Sequence, residues 1–229
     1  MTNAGRRLAG WVDEAVQLRL QALLDAASSH SVDAYREGMR ALGQDLGTRL
    51  RDALPPEGDI LVVTTVEDAD FLSAGVLEAL PSERRVKLFC YWNERDTVRN
   101  LAPIVSRYEE PLDEARTSAV VVIESIVSGA CVVRTNLAEA LSRLRHDVAV
   151  FVVAPVMQMG AKRGLRRELA PGIADRLQYV VCAIDPDRDG DTLLPGVGGI
   201  VHELLGVGDG HTKNRIRPRL VAERNRLTA

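Results

Sequence analysis

Glu124, Ser128, Gly129, Ala130 and Cys131 are the residues of this 229-residue chain whose types and spacing come closest to chemistry. An apolar run, Ala119 to Ile123, ends on the acid, and Ser128 to Cys131 then turn the chain into an amphipathic helix. An acid at a strand end, followed by a small-residue turn and a helix N-terminus, presents bare N–H groups and a helix dipole to a phosphate. The Ser128 hydroxyl adds a donor, and the Glu124 carboxylate is placed to bind ribose hydroxyls or a metal. The same residues also read as an ordinary strand-to-helix turn, since short Gly/Ser turns are common and motifs of this kind have false positives.

The elements that must hold such a turn follow from periodicity. Leu8, Trp11, Val12, Ala15, Ala22, Leu23 and Ala26 recur at helical spacing, and Ser31 opens a second helix with the stripe Tyr35, Met39, Leu42, Leu46 and Leu50. After Pro55 to Gly58, strands and helices alternate. The strands are DILVVTTV, VKLFCYW, AVVVI, VAVFVVAPV and LQYVVCAID, with helices DADFLSAGVLEAL, the run to Arg145, and Lys162 to Leu169. The polar stretch Asn93 to Ser118 reads as a connection with YEEP as a turn or hairpin loop. Apolar strands alternating with helices predict an α/β fold, a largely parallel sheet covered on both faces. The expected organisation is an N-terminal helical arm (1–55), an α/β domain (56–206) and a basic tail (207–229). In the tail, Lys213, Arg215, Arg217, Arg219, Arg224 and Arg226 face only Asp209 and Glu223.

Composition narrows the class. Hydrophobic residues make up 46% and aromatic residues only 4%, so the core is aliphatic. Charged residues are 27% with a formal net charge of −3, which argues against a nucleic-acid binder and a polybasic membrane anchor. No apolar run approaches the roughly 20 residues of a membrane span, and the start lacks a signal-peptide core, so cytoplasm is the expected location. Cys90, Cys131 and Cys182 lie far apart with no CxxC spacing.

Taken in order, several segments resemble uracil phosphoribosyltransferases of the type I phosphoribosyltransferase fold. AYREGMRALGQDLGTRL is similar to that family's N-terminal helix, and LEALPSERRVKLFCYWNERDT to its strand and Tyr-Arg-Asp-Glu-x-Thr segment. VVIESIVSGACV sits where the family has its phosphate loop, and YVVCAIDPDRDGDTLLPGVGGIVHELLG resembles its Ile-Asp strand and uracil loop. The resemblance covers roughly Ala34 to Gly206. It implies transfer of a ribose 5-phosphate from phosphoribosyl pyrophosphate to uracil, with magnesium. It places the 5′-phosphate on Ser128, Gly129, Ala130 and Cys131, the ribose hydroxyls on Glu124 and the planar ring on Val197, Gly198 and Gly199. It also implies a homodimer, for which Trp11 and the first helix offer apolar surface.

The chain departs from that pattern where a pyrophosphate should sit. Glu67, Asp68, Ala69, Asp70 and Phe71 replace the family's Arg-Ala-Gly-Leu-Gly. Glu67, Asp68 and Asp70 then read either as a divalent-metal or cationic-substrate site, or as a solvated helix start. Trp92 stands in place of an arginine and offers a stacking surface. His202 and Glu203 replace the family's Asp-Arg, with His202 read as a surface or helix-terminal residue. The segment KNRIRPR reads as a solvated or subunit-contacting arm, with folding back over the site as the alternative. Three functions stay open. The first is a divergent transferase acting on a ribose 5-phosphate donor or a nucleotide. The others are a non-catalytic ligand sensor and an ordinary uracil phosphoribosyltransferase.

Overall fold

In the computed structural model, residues 5–96, 99, 101–144, 147–190, 192–209 and 212–228 are described. Thr97, Val98, Asn100, Arg145, His146, Asp191, Gly210 and His211 lie outside the described residues. Two helices come first, α1 (Glu14–Ser28) and α2 (Val32–Arg51). The Asp13 carboxylate accepts from the Val16 N–H (2.9 Å) and caps α1, so the helix starts later than the periodicity predicts: Leu8 lies in a short strand, and Trp11 and Val12 precede the cap. The α2 stripe Tyr35, Met39, Leu42, Leu46 and Leu50 is fully buried.

Five parallel strands form the centre: β2 (Asp59–Thr65), β3 (Val86–Asn93), β5 (Thr117–Ile123), β7 (Ala149–Gln158) and β8 (Leu177–Asp185). The edges are antiparallel, β1 (Arg7–Leu8) on β8 and β4 (Ile104–Glu109) on β3, giving the order β1-β8-β7-β5-β2-β3-β4. A short strand β6 (Ile126–Val127) pairs with β7, and β9 (Asp187–Asp189) pairs with β10 (Thr192–Leu194) in a separate ribbon. The sheet is buried on both sides, which is why its strands read as unbroken apolar runs. Along β5, Ala119, Val121 and Ile123 join the core beneath α1 and α2. Val120 and Val122 join the core of the opposite face, with Leu137 of α4 (Cys131–Leu141), Leu165 of α5 (Ala161–Glu168) and Ala174 of α6 (Pro171–Arg176). This is the mixed α/β architecture expected.

Three local readings change. The Asn93 to Ser118 connection contains the edge strand β4, and Tyr108 and Glu109 of YEEP belong to it rather than to a turn. Its Ser106 and Arg107 face solvent, so β4 shows no apolar alternation; the Glu110 carboxylate just beyond it accepts from the Leu88 N–H (3.0 Å). The helix after β2 opens as a π-helical turn, Ala69–Ser73, before α3 (Ala74–Ala79). There Gly43 of α2 lies so close to the Leu72 carbonyl that a Cβ would overlap it, which lets the two helices cross tightly.

The tail is not a solvated arm. After α7 (Val201–Leu204), a 3₁₀ turn (Thr212–Arg215) and α8 (Arg219–Thr228) fold back on the sheet edge. Trp92 Nε1 donates to the Ile216 carbonyl (3.0 Å), Arg224 pairs with Glu110 (2.8 Å), and Val221 is buried with Val66, Ala69, Cys90 and Trp92. Trp92 is therefore packing, not a stacking surface open to a ligand. Trp11 is likewise engaged within the chain, its Nε1 donating to the Val181 carbonyl (3.0 Å).

Candidate functional site

The chain runs from β2 outward to β3 and then crosses back to place β5 on the other side of β2. In an open parallel sheet, the loops at such a switch point diverge and leave a crevice beyond the strand C-termini. A cleft of about 370 Å³ lies there. Thr65 to Asp68 after β2 line it, as do Asn93 to Arg95 after β3 and Glu124 to Ile126, Ser128 and Gly129 after β5. Gly199 to His202 and Lys213 close it from the C-terminal side.

The two central loops are tied together by Asp68. Its buried carboxylate accepts from the Thr65 hydroxyl (3.0 Å), the Ser125 N–H (3.1 Å) and the Ser125 hydroxyl. Burial pushes the Asp68 carboxyl up to about 7, with repulsion from Glu67 adding to it, while the Ser125 and Thr65 hydrogen bonds pull it down.

Glu124 is different. Its side chain is buried, and Oε1 has no hydrogen-bond partner. Burial first, and then repulsion from Asp68 and Glu67, hold its carboxyl well above the usual carboxylate range. An unpartnered buried carboxyl is costly to keep, and such groups concentrate at functional sites. Next to it, α4 begins at Ala130 with no side-chain cap, so its first N–H groups have no side-chain acceptor. A Cβ at Gly129 would meet nothing within 4 Å, so the space in front of the turn is open. Ala130 and Cys131 are buried and offer backbone only.

The expected ring-binding stretch divides. Gly199 lines the cleft, but Val197 is fully buried and its carbonyl accepts from the Tyr35 hydroxyl (3.0 Å). Gly198, at φ +95°, packs so closely on Ala27 that a Cβ would overlap it. Those two residues anchor the loop instead of facing a ligand. The loop is braced by residues that local pattern does not reveal. Arg6 grips buried Asp185 with two hydrogen bonds (2.7 and 2.6 Å) and also donates to the Gly196 carbonyl (2.6 Å). Asp185 in turn accepts from the Gly196 N–H (2.8 Å). Asn93 and Asn136, also unremarked in the sequence, exchange side-chain amide hydrogen bonds (2.9 and 3.2 Å) at the cleft wall. Both pairings join residues far apart in the chain, so only side-chain polarity within an apolar strand or helix hinted at them.

The acidic trio after β2 does not assemble into a metal cage. Asp70 accepts from the Arg219 and Leu220 N–H groups (2.9 and 2.8 Å), capping α8. Glu67 pairs with Lys213 and lies 3.9 Å from His202 Nδ1. Asp68 is committed to Thr65 and Ser125. A protein-held magnesium ion needs several free oxygens around one point. Among the described residues, no group of three or more His, Cys, Asp or Glu is so arranged. These side chains therefore do not fit a magnesium cage, nor are they a solvated helix start. His202 is a cleft residue whose imidazole pKa is lowered chiefly by burial, against the pull of Glu67.

No protein-family model matches the sequence, and no curated protein is significantly similar to it. Among solved structures, the AQ2163 protein from Aquifex aeolicus superposes at a TM-score of 0.66 with 17% identity. The superposition covers 88% of this chain and 99% of that one, and it shows a shared fold. A hypoxanthine phosphoribosyltransferase from Trypanosoma cruzi, complexed with IMP, is similar at a TM-score of 0.44 and 15% identity, over 66% of this chain and 75% of that one. A hypoxanthine-guanine phosphoribosyltransferase from Bacillus anthracis gives 0.43 and 9%, over 55% and 72%. No helix of the described residues is long and apolar enough to cross a membrane.

Proposed function

We propose that the cleft binds a ribose 5-phosphate compound or nucleotide, and that the chain is a transferase acting on it. The 5′-phosphate sits on the Ser128 to Cys131 turn and the ribose hydroxyls on Glu124. The observation that carries this reading is the unpartnered Glu124 Oε1, buried beside an uncapped helix start and an open Gly129. Ribose hydroxyls would supply the donors that Glu124 lacks, and the α4 N–H groups together with the Ser128 hydroxyl would supply those a phosphate needs. Chemistry at ribose C1 passes through an oxocarbenium-like state, so positioning and nearby negative charge are what the cleft contributes. Glu124 and Asp68 lie near enough to repel one another, and they join that field as they ionise with rising pH. The sequence resemblance points to uracil as an acceptor class, and Gly199 is the loop residue available to a planar ring.

A second reading, a sensor without turnover, is favoured by one observation. The loop after β2, where a diphosphate leaving group would be gripped, carries Glu67 and Asp68 and no arginine. Calorimetric titration with ribose 5-phosphate, UMP and phosphoribosyl pyrophosphate, followed by a UMP-formation assay, separates these readings. Binding with turnover supports the transferase and binding without turnover supports the sensor. Absence of binding by every phosphorylated ribose refutes both.

A further inference from the structure

The cleft is rich in acids. Glu67, Asp68, Glu94 and Glu124 all line it, and among its described lining residues Arg95 and Lys213 are the lysines and arginines. Arg95 is exposed at the rim. Lys213 is different: its side chain is only 13% exposed, it reaches the cleft from the tail, and Glu67 holds its ammonium. An ammonium has three N–H donors. The Glu67 Oε2 contact uses one of them, and Lys213 is among the residues lining the cleft.

The backbone carrying Lys213 is fixed on both sides. The Asp209 carboxylate accepts from the Thr212 N–H (2.7 Å), and Asn214 Nδ2 donates to the Asn93 carbonyl (3.4 Å). Further along, Trp92 holds Ile216, and Asp70 caps α8. A flexible neutralising lysine needs no such bracing, whereas a lysine presented to a ligand does.

We propose that Lys213, positioned by Glu67, is the ligand-contacting cation of the cleft and binds a second anionic group of the ligand, on the side away from the Ser128 turn. This rests on the reading of the cleft as a ribose 5-phosphate site and narrows its substrate class. The ligand carries the 5′-phosphate and one further phosphate or carboxylate at the C1 or base end. The tail is then part of the site, and a chain ending at Gly206 would lack the contact.

The test is calorimetry with three probes. UMP carries a single anionic group, orotidine 5′-monophosphate adds a base carboxylate, and phosphoribosyl pyrophosphate carries a C1 diphosphate in place of the base. Wild-type protein is expected to bind one of the two-anion probes about tenfold to a hundredfold more tightly than UMP, the range of a charge-assisted hydrogen bond. Whichever of the two is preferred identifies the second group. Lys213→Met should erase that preference, weakening the preferred two-anion probe about tenfold or more beyond any change in UMP affinity. Because Lys213→Met strands Glu67, the double variant Glu67→Gln/Lys213→Met is measured alongside, and it should show the same loss of preference. Equal losses for UMP and the two-anion probes, or no preference in wild type, overturn the proposal. Failure of wild type to bind any of the three probes overturns the underlying site reading instead.

Discussion

Glu124→Gln is the substitution in which the energetics and the function of this site should part company. Glu124 is buried, with Oε1 unpartnered and Asp68 and Glu67 as acidic neighbours. Its folded pKa lies above the ordinary 4.5, so the folded chain holds that proton more tightly than the unfolded one. The stability attached to the proton is whole below about pH 4.5 and falls as pH rises from there toward the folded pKa. Glutamine is nearly isosteric, cannot ionise, and offers amide donors to the neighbouring acids. Glutamine keeps an unpartnered oxygen but removes the buried charge, whose penalty exceeds the roughly 1–3 kcal/mol of a neutral unsatisfied group, so the variant should gain on the order of 1–3 kcal/mol at pH 8. In a domain of this size that is roughly 2–12 °C in melting temperature. Thermal melts from pH 5 to 8.5 would show wild type losing stability relative to Glu124→Gln as pH rises. Affinity for a ribose phosphate should fall in the same variant, because glutamine is a poorer acceptor for ribose hydroxyls. A variant less stable than wild type at pH 8, or one with an unchanged pH slope, would refute the reasoning.

Arg6→Ala leaves Asp185 buried without its cation and should cost about 3–5 kcal/mol in chemical denaturation, the range for breaking a buried pair; a loss under about 1 kcal/mol would contradict the bracing role given to Arg6. Asp68→Ala strips the acceptor from Ser125 and Thr65 and is expected to cost about 1–3 kcal/mol. Asp68→Asn should also remove the decline in stability that Asp68 causes between its ordinary 3.8 and about 7, because the folded form holds that proton more tightly across that window. Trp92→Phe keeps the packing but loses the bond to Ile216, which should cost about 0.5–1.5 kcal/mol and speed amide exchange in α8.

How far the fold could be read from the sequence follows from where its information is local. The strands were visible because burial on both faces leaves unbroken runs such as AVVVI, and α2 because its stripe repeats every three or four residues. The edge strand β4 was missed because a half-exposed edge carries Ser106 and Arg107 where a central strand carries valine. The local arrangement that brings Glu124 and the Ser128 turn to the cleft is legible, since strand, acid and turn are consecutive. The fates of Glu67, Asp68 and Asp70 were not, because their partners Lys213, Ser125 and Leu220 come from distant elements. Val197 and Gly198 looked like loop backbone, and only Tyr35 and Ala27 reveal that they are anchors. The tail reads as a solvated basic arm because its arginines carry charge and no apolar stripe. Its seat depends on Trp92, Asp70 and Glu110, which no local pattern links to it.

The central claim, a phosphate on the Ser128 to Cys131 turn, is tested most directly by one affinity ratio. UMP and uridine are titrated into wild type and into Gly129→Val, whose added side chain enters open space and should leave the melting temperature nearly unchanged. The account predicts that wild type binds UMP at least about tenfold more tightly than uridine, as one charge-assisted contact requires, and that the variant loses this advantage. Equal affinity for the two in wild type, or an advantage that survives in Gly129→Val, would contradict it.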